Sequence, residues 1–440
     1  MPTSVRYMIR KTLVPSLDPA SPFMSDVIPH SLRPYCSSRV QEMPDNQIVA
    51  VADLARHDAS VVRLWIGEGD LATPAYIKQA AVDALGQDDT RYSYSQGLPE
   101  LRQALSDYHR RHWQVDVAAE RFCLSIGGMN AVTMALQAIL DEGSEVIMPT
   151  PAWPNARQMI EIVGGINVST PFDFHPDGNI ELDLDKLFAK VTDRTRAVFI
   201  NSPSNPTGWR MPLQDMRRLR DFCREKGLWI VADEVYNHFV YNDAGHDGRQ
   251  HLSGDGPAES FLQICEPGDK LLVTNTFSKN WCMTGWRAGW ITFPQGMDQL
   301  FARLCQYNTT GVAPFVQRAC IAALENGDEF IRHQVERCQA SRDVLVAGLA
   351  ALDNVTVFSP QGTFYLFFKV HGLNGSSLDT AKRILREAKV GVAPGSAFGP
   401  EGEDYLRICF AIDPALAKEA LARLVPFLTA MADSPQGATV

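Results

Sequence analysis

The chain has 440 residues, 45% of them hydrophobic and 21% charged, with 31 Gly and 27 Pro, a composition that excludes a largely disordered or collagen-like protein. One hydrophobic core rarely suffices at that length, so two domains are expected. The net charge of -10, without a long basic run, disfavours nucleic acid as the main partner, because phosphate binding needs clustered Lys and Arg.

Residues 1–37 are rich in Pro and Ser, as in SLDPASP and IPHSLRP, and lack sustained periodicity, which predicts a loosely ordered extension. The opening MPTSVRYMIRKTLVPSLDP has no continuous apolar core of the signal-peptide kind, and no run is long enough to span a bilayer. The cytoplasm is the expected compartment and no membrane partner is expected. From about residue 38 helical and strand-like segments alternate without a repeat. The expected division is 38–78 as the first part of a small domain, 79–314 as a large domain, and 315–440 as the rest of the small one. Nine cysteines are scattered singly with no C-x-x-C pair, which speaks against a zinc site or a disulfide framework, and Cys282 is read as packing. No metal is expected.

Tyr92, in RYSYSQGLPELR, precedes a helix of the form LPELRQAL and offers a hydroxyl to a ligand. In SIGGMNAV, Gly127 and Gly128 stand between a strand and a helix start, where exposed N–H groups can hold an anion. The helix over NAVTMALQAILDEG is predicted to end with Gly143 as its cap. Strands are predicted at EVIMP (145–149), RAVFIN (196–201), LWIVADE (228–234), KLLVTNTF (270–277) and GWITF (289–293). Most are continuously apolar, as strands covered by helices on both faces should be, and the βαβ alternation implies a mostly parallel sheet. Trp153, in PTPAWPN, follows a strand end and reads equally as a ring-stacking residue or as packing beneath a loop.

NSPSNPTG (201–208) is dense in turn formers after a strand, and Asn205 there can present an amide donor. VADEVY (231–236) leaves Asp233 at the end of a buried strand, where a carboxylate needs a cation or hydrogen bonds, with Tyr236 three residues on. TNTFSKNWCMTGWRAGW (274–290) places Lys279 where a strand opens into a loop, among Phe277, Trp281, Met283 and Trp286, whose size implies burial. A lysine so placed requires a partner or a covalent use. Thr276 and Ser278 can bond a phosphate and Arg287 can clamp it, a combination that suggests pyridoxal phosphate. The helix FVQRACIAALENG leaves the domain boundary near 315 open. Beyond it, helices over 329–352 and 414–431 frame strands at TFYLFFKV and YLRICFA. Arg407 lies in the second of these strands and must be paired, with a substrate carboxylate or within a structural ion pair.

Taken in order, Y-x-x-x-x-G, GG at a helix start, P-x-W, N-P-T-G, D-E-V-Y, S-K with Arg eight residues on, and a late Y-x-R resemble the fold-type I pyridoxal phosphate enzymes. More narrowly, they look like class I/II aminotransferases of the aspartate aminotransferase type over roughly residues 38–432. The resemblance implies an α/β fold with a mostly parallel seven-stranded sheet sandwiched by helices, plus a smaller α+β domain. It implies that Lys279 bonds the cofactor as a Schiff base, Asp233 pairs with its pyridine nitrogen, and Tyr236 and Asn205 bond its phenolate oxygen. Trp153 would stack on the ring. Gly128, Met129, Thr276, Ser278 and Arg287 would hold the phosphate, with Tyr92 reaching in from a second subunit. Arg407 and the backbone of Gly67 would hold the substrate α-carboxylate, with Asn205 and Trp153 also against the substrate. A homodimer and ping-pong transfer of an amino group from an L-amino acid to a 2-oxo acid follow, with freed Lys279 moving the proton.

Gly69 stands where that family usually has proline, and Thr276 replaces a usual serine while keeping the hydroxyl. The alternatives are another reaction on the same scaffold, such as β-elimination, cyclisation, racemisation or amino-acid oxidation, and a non-enzymatic regulator. The joint presence of Lys279, Asp233 and Arg407 argues against inactivity, and no helix-turn-helix pattern supports a DNA-binding regulator. No arginine is marked by spacing for a distal carboxylate. Tyr94, Phe364 and Tyr365 are readable either as a neutral or aromatic side-chain pocket or as core.

Overall fold

Seven strands form the central sheet of the computed structural model, which describes residues 35–241, 256–373 and 375–432. They are β1 (Phe122–Ser125), β2 (Glu145–Thr150), β3 (Ile166–Pro171), β4 (Thr195–Asn201), β5 (Trp229–Asp233), β6 (Leu271–Thr276) and β7 (Gly289–Thr292). Their spatial order is β1-β7-β6-β5-β4-β2-β3. All pairings are parallel except those of β7, which runs antiparallel to both β1 and β6.

Alternation along these strands explains their apolar sequences. Val198, Ile200, Ile230, Ala232, Leu271 and Val273 join a core on one face, while Ala197, Phe199, Val231 and Leu272 join a core on the other. With helices on both faces neither set meets water, so no polar alternation appears in the sequence. The edge strand β3 is the exception, because most of INVSTP is only half-buried or exposed.

A second sheet follows in the chain, built from β8 (Val355–Phe358), β9 (Tyr365–Val370), β10 (Ala393–Pro394) and β11 (Tyr405–Cys409). Its order is β8-β9-β11-β10 and every pairing is antiparallel. Leu366, Phe368, Leu406 and Ile408 from this sheet pack with Leu345 and Leu349 of the helix Asp328–Ala350 and with Leu424 and Leu428 of the helix Pro414–Ala432. The short helix Ser38–Gln41 belongs to a separate unit, whereas the chain from Asp45 onward forms one body. Residues 1–34 of the expected extension lie outside the described residues.

One helix boundary differs from expectation. The helix Gly127–Ile139 stops before Gly143, because Leu140 turns to extended backbone at φ -100° and ψ 134°. Gly143, at φ +79°, instead turns the chain into β2, its N–H bonded to the Gly164 carbonyl at 2.8 Å. FVQRACIAALENG and the helix expected over 329–352 are separate, Pro314–Asn326 and Asp328–Ala350 being divided at Gly327. A Cβ there would collide with the Trp281 indole, so the close approach requires glycine.

Candidate active site

Three adjacent parallel strands, β4, β5 and β6, end at the same edge of the sheet, and ligand-binding groups of α/β proteins gather at such carboxyl edges. The register places Asn201 opposite Asp233 and Asp233 opposite Thr274. The loops that follow carry Asn205, Tyr236 and Lys279.

Asp233 is 2% exposed. Its carboxylate accepts from Asn201 Nδ2 at 3.2 Å and from Thr274 Oγ1 at 3.3 Å. Burial raises it from 3.8 to about 7, against the pull of Thr274, the Val235 backbone and the Lys279 charge. Neighbouring Glu234 is raised to about 7 by burial as well, and accepts from the Phe261 N–H at 3.0 Å.

Lys279 Nζ donates to the Gly67 carbonyl at 2.8 Å. Burial lowers the amine from 10.5 to about 8, which brings the neutral, nucleophilic form within reach of ordinary pH. The Lys279 carbonyl in turn accepts from Gln334 Nε2 at 3.2 Å, and Gln334 Oε1 accepts from the Cys282 thiol at 2.8 Å. Cys282 therefore hydrogen-bonds as well as packs, on the wall of the cleft over Lys279 that Glu68, Leu71 and Phe364 share.

The first turn of the helix Gly127–Ile139 faces Thr276, Ser278 and Arg287. A Cβ on Gly127 would collide with the Arg287 guanidinium, so this glycine lets the guanidinium reach the helix start, whereas one on Gly128 would make ordinary contact with Thr276 Cβ at 3.4 Å. Thr276 Oγ1 is 2.9 Å from Ser278 Oγ, and the Arg287 guanidinium donates to the Thr284 carbonyl at 2.7 Å. Unpaired first-turn N–H groups, two hydroxyls and a guanidinium form a cradle for an anion of phosphate type. Met129 is the third residue of that helix, and its sulfur accepts from Asn155 Nδ2 at 3.3 Å.

Arg407 is 3% exposed. Its guanidinium donates to Asn205 Oδ1 at 3.2 Å and to the Trp65 carbonyl. Its Cζ lies 4.3 Å from the centre of the Tyr365 ring and 4.9 Å from that of Phe398, while its buried Nε has no hydrogen-bond partner. No acidic side chain pairs with Arg407 among the described residues, where its partners are an amide oxygen and a backbone carbonyl.

Trp153 caps the helix Pro154–Ile162 and lines a small cavity with Asn201, Phe199 and Ser204, next to the Asp233 strand end. Tyr92 is not brought to these groups within the single chain, since its side chain is 93% exposed. Tyr94 is 64% exposed, whereas Phe364 and Tyr365 are buried. Sequence reasoning missed Asn201 and Thr274 as holders of Asp233. Asn201 also accepts the Asn205 N–H at 2.8 Å, so one amide fixes two of the expected site residues. Its signal was its place as the last residue of a strand ahead of the turn-rich SPSNPTG.

The family described as aminotransferase class I and II matches residues 59–424. The probable aspartate/prephenate aminotransferase of Aquifex aeolicus is 32% identical over 402 residues, covering 89% of this chain and 98% of the relative. The aromatic-amino-acid aminotransferase 2 of Thermococcus litoralis is 32% identical over 394 residues, covering 88% and 97%. A solved Thermus thermophilus aspartate aminotransferase, a single mutant, superposes with a TM-score of 0.80 at 31% identity, covering 89% of this chain and 99% of that one. A mostly parallel seven-stranded sheet with a lysine and an aspartate at its carboxyl edge marks the chain as a fold-type I α/β enzyme. The chain belongs to the class I and II aminotransferases, which use pyridoxal phosphate to move an amino group from an amino acid to a 2-oxo acid.

The described residues fit that cofactor on three counts. Gly127 lets the Arg287 guanidinium approach the helix start beside Thr276 and Ser278, a buried carboxylate at Asp233 has only neutral hydrogen-bond donors, and a lysine amine is parked on a backbone carbonyl. No cluster of metal-ligating side chains occurs among the described residues, and no helix there is long and apolar enough to cross a membrane.

Proposed function

We propose that Lys279 is the residue that carries pyridoxal phosphate and that Arg407 grips the α-carboxylate of the amino donor. The observation that carries this reading is their arrangement around Gly67 and Tyr365: Lys279 Nζ is bonded to the Gly67 carbonyl, and the Tyr365 ring lies beneath the Arg407 guanidinium. Asp233 supplies the anion for the pyridine nitrogen, Tyr236 and Asn205 the donors for the phenolate oxygen, and Trp153 a stacking face. Gly128, Met129, Thr276, Ser278 and Arg287 hold the phosphate.

When bound, the cofactor supplies an electron sink that weakens the substrate Cα–H bond and stores the amino group between half-reactions. Arg407 fixes the carboxylate with its planar fork and so orients the Cα–H bond toward Lys279. Lys279 Nζ takes the Cα proton and delivers it onward, a task suited to an amine lowered to about 8. A second 2-oxo acid reverses the sequence, which makes the kinetics ping-pong.

The active unit is a homodimer in which Tyr92 of one chain completes the phosphate site of the other. The 93% exposure of Tyr92 leaves its hydroxyl free to reach a second chain. All nine cysteines are free thiols, which supports a reducing compartment such as the cytoplasm.

For the amino donor we infer a neutral or aromatic side chain. The cleft over Lys279 offers Leu71, Phe364 and the Glu68 carboxylate, and among the described residues no arginine lines it. Initial rates with phenylalanine, tyrosine, leucine and alanine against aspartate and glutamate test this. The reading expects kcat/KM about tenfold or more higher for the best neutral donor, and a clear preference for the dicarboxylates contradicts it.

A further inference from the structure

Tyr365 touches three candidate site residues that come from distant parts of the chain. Its hydroxyl is 2.9 Å from that of Tyr236, and the two rings meet edge to face with centroids 5.6 Å apart. The Arg407 guanidinium lies over its ring, with Cζ 4.3 Å from the centroid. The hydroxyl also packs against the Cα of Gly67, where a Cβ would collide with it, and the Gly67 carbonyl is the acceptor for Lys279 Nζ. The side chain is 1% exposed, on β9, whose Phe367 stands opposite Arg407 in the register with β11. Tyr365 is therefore fixed by the same sheet that carries Arg407.

We infer that Tyr365 is a positioning residue that couples the carboxylate-binding guanidinium to the cofactor-facing phenol of Tyr236, through its ring on one side and its hydroxyl on the other. The inference rests on the roles proposed for Tyr236 and Arg407. With the Tyr236 hydroxyl turned to donate to the cofactor's phenolate oxygen, the Tyr365 hydroxyl donates to Tyr236, and a donor that itself accepts a hydrogen bond is polarised and donates more strongly. The ring acts separately. With Phe398, whose centroid is 4.9 Å from the same Cζ, it holds the Arg407 guanidinium in place, so that the fork meets a carboxylate without first being ordered.

Two variants of the cofactor-loaded enzyme separate the two halves. Tyr365→Phe keeps the ring and removes the hydroxyl. Weaker donation from Tyr236 leaves the phenolate less stabilised, so the pH at which the cofactor's visible band titrates should rise by about half a unit, with affinity for propionate kept within about twofold. Tyr365→Leu removes the ring, and propionate, a carboxylate without an amino group, should bind about fivefold or more weakly. An unmoved titration midpoint in Tyr365→Phe, or unchanged propionate affinity in Tyr365→Leu, overturns the coupling. If Tyr365→Leu fails to fold, the Tyr365→Phe midpoint decides alone. Wild-type protein without a lysine-dependent band, or Arg407→Leu binding propionate as wild type does, would instead sink the reading of the site beneath it.

Discussion

A carboxylate 2% exposed between Asn201 and Thr274 keeps its proton up to about pH 7 in the cofactor-free protein. The folded state then binds more protons than the unfolded chain between pH 3.8 and about 7, so folding stability falls as pH rises through that window. Glu234 acts in the same direction. Lys279 has the opposite sign: its amine, lowered to about 8, weighs against folding below that pH and ceases to do so as pH rises toward 10.5. Asp233→Asn should therefore gain on wild type in thermal unfolding of the cofactor-free proteins as pH goes from 4 to 7, and parallel pH curves would contradict this. Gly127 sits at φ +76° with the Arg287 guanidinium where its Cβ would be. Gly127→Ala should weaken cofactor binding about tenfold, measured by fluorescence titration, through backbone strain and a displaced clamp. Lys279, Asp233 and Tyr236 were legible as site candidates because a charged or hydroxylated residue at or just past the end of an apolar strand stands out, and Arg287 by its place eight residues beyond Lys279. Asn201 and Thr274 were not, since a single polar residue within strand text gives no sign of what it holds. Tyr365 was ambiguous for the reason that makes it useful: it is buried like core yet bears a hydroxyl facing the site.

Elements were readable where burial is symmetrical. β2, β4, β5 and β6 carry apolar runs because helices cover both faces, and their predicted spans differ from the observed ones by a residue or so at the ends. β3 escaped because an edge strand with a polar, half-exposed sequence resembles a loop. The antiparallel direction of β7 left no mark either, since a short apolar strand reads alike both ways. Gly143 was mistaken for a helix cap because any glycine after an apolar helical run fits that role. Gly227 fills such a role in fact, at φ +67° after the helix Leu213–Lys226. Gly227→Ala should lower unfolding stability by about 1 kcal/mol and leave kcat unchanged, because the helix end lies at the start of β5, away from its carboxyl edge.

On the scale of the whole molecule, the proposed dimer makes each active site a joint product of two chains. Lys279→Ala and Tyr92→Ala variants, each inactive or weakened alone, should recover activity when mixed and allowed to exchange subunits, to about a quarter of wild type, because a mixed dimer holds one intact site. Equal mixing without recovery would place Tyr92 outside the partner's site. The family and the general fold were legible because their motifs fall in a fixed order along the chain; assembly and donor choice were not, since they depend on surfaces and cleft walls drawn from distant segments. The claim on which the rest depends is that Lys279 carries the cofactor and moves the proton. Its most direct test is the visible spectrum of the loaded protein and of Lys279→Ala, before and after adding a single amino donor without any oxo acid. Wild type should show a lysine-dependent band that the donor converts to a pyridoxamine-like one, and Lys279→Ala should lack that band and lose about 10⁴-fold or more in transfer rate. A Lys279→Ala protein that kept the band and turned over at the wild-type rate would contradict the account.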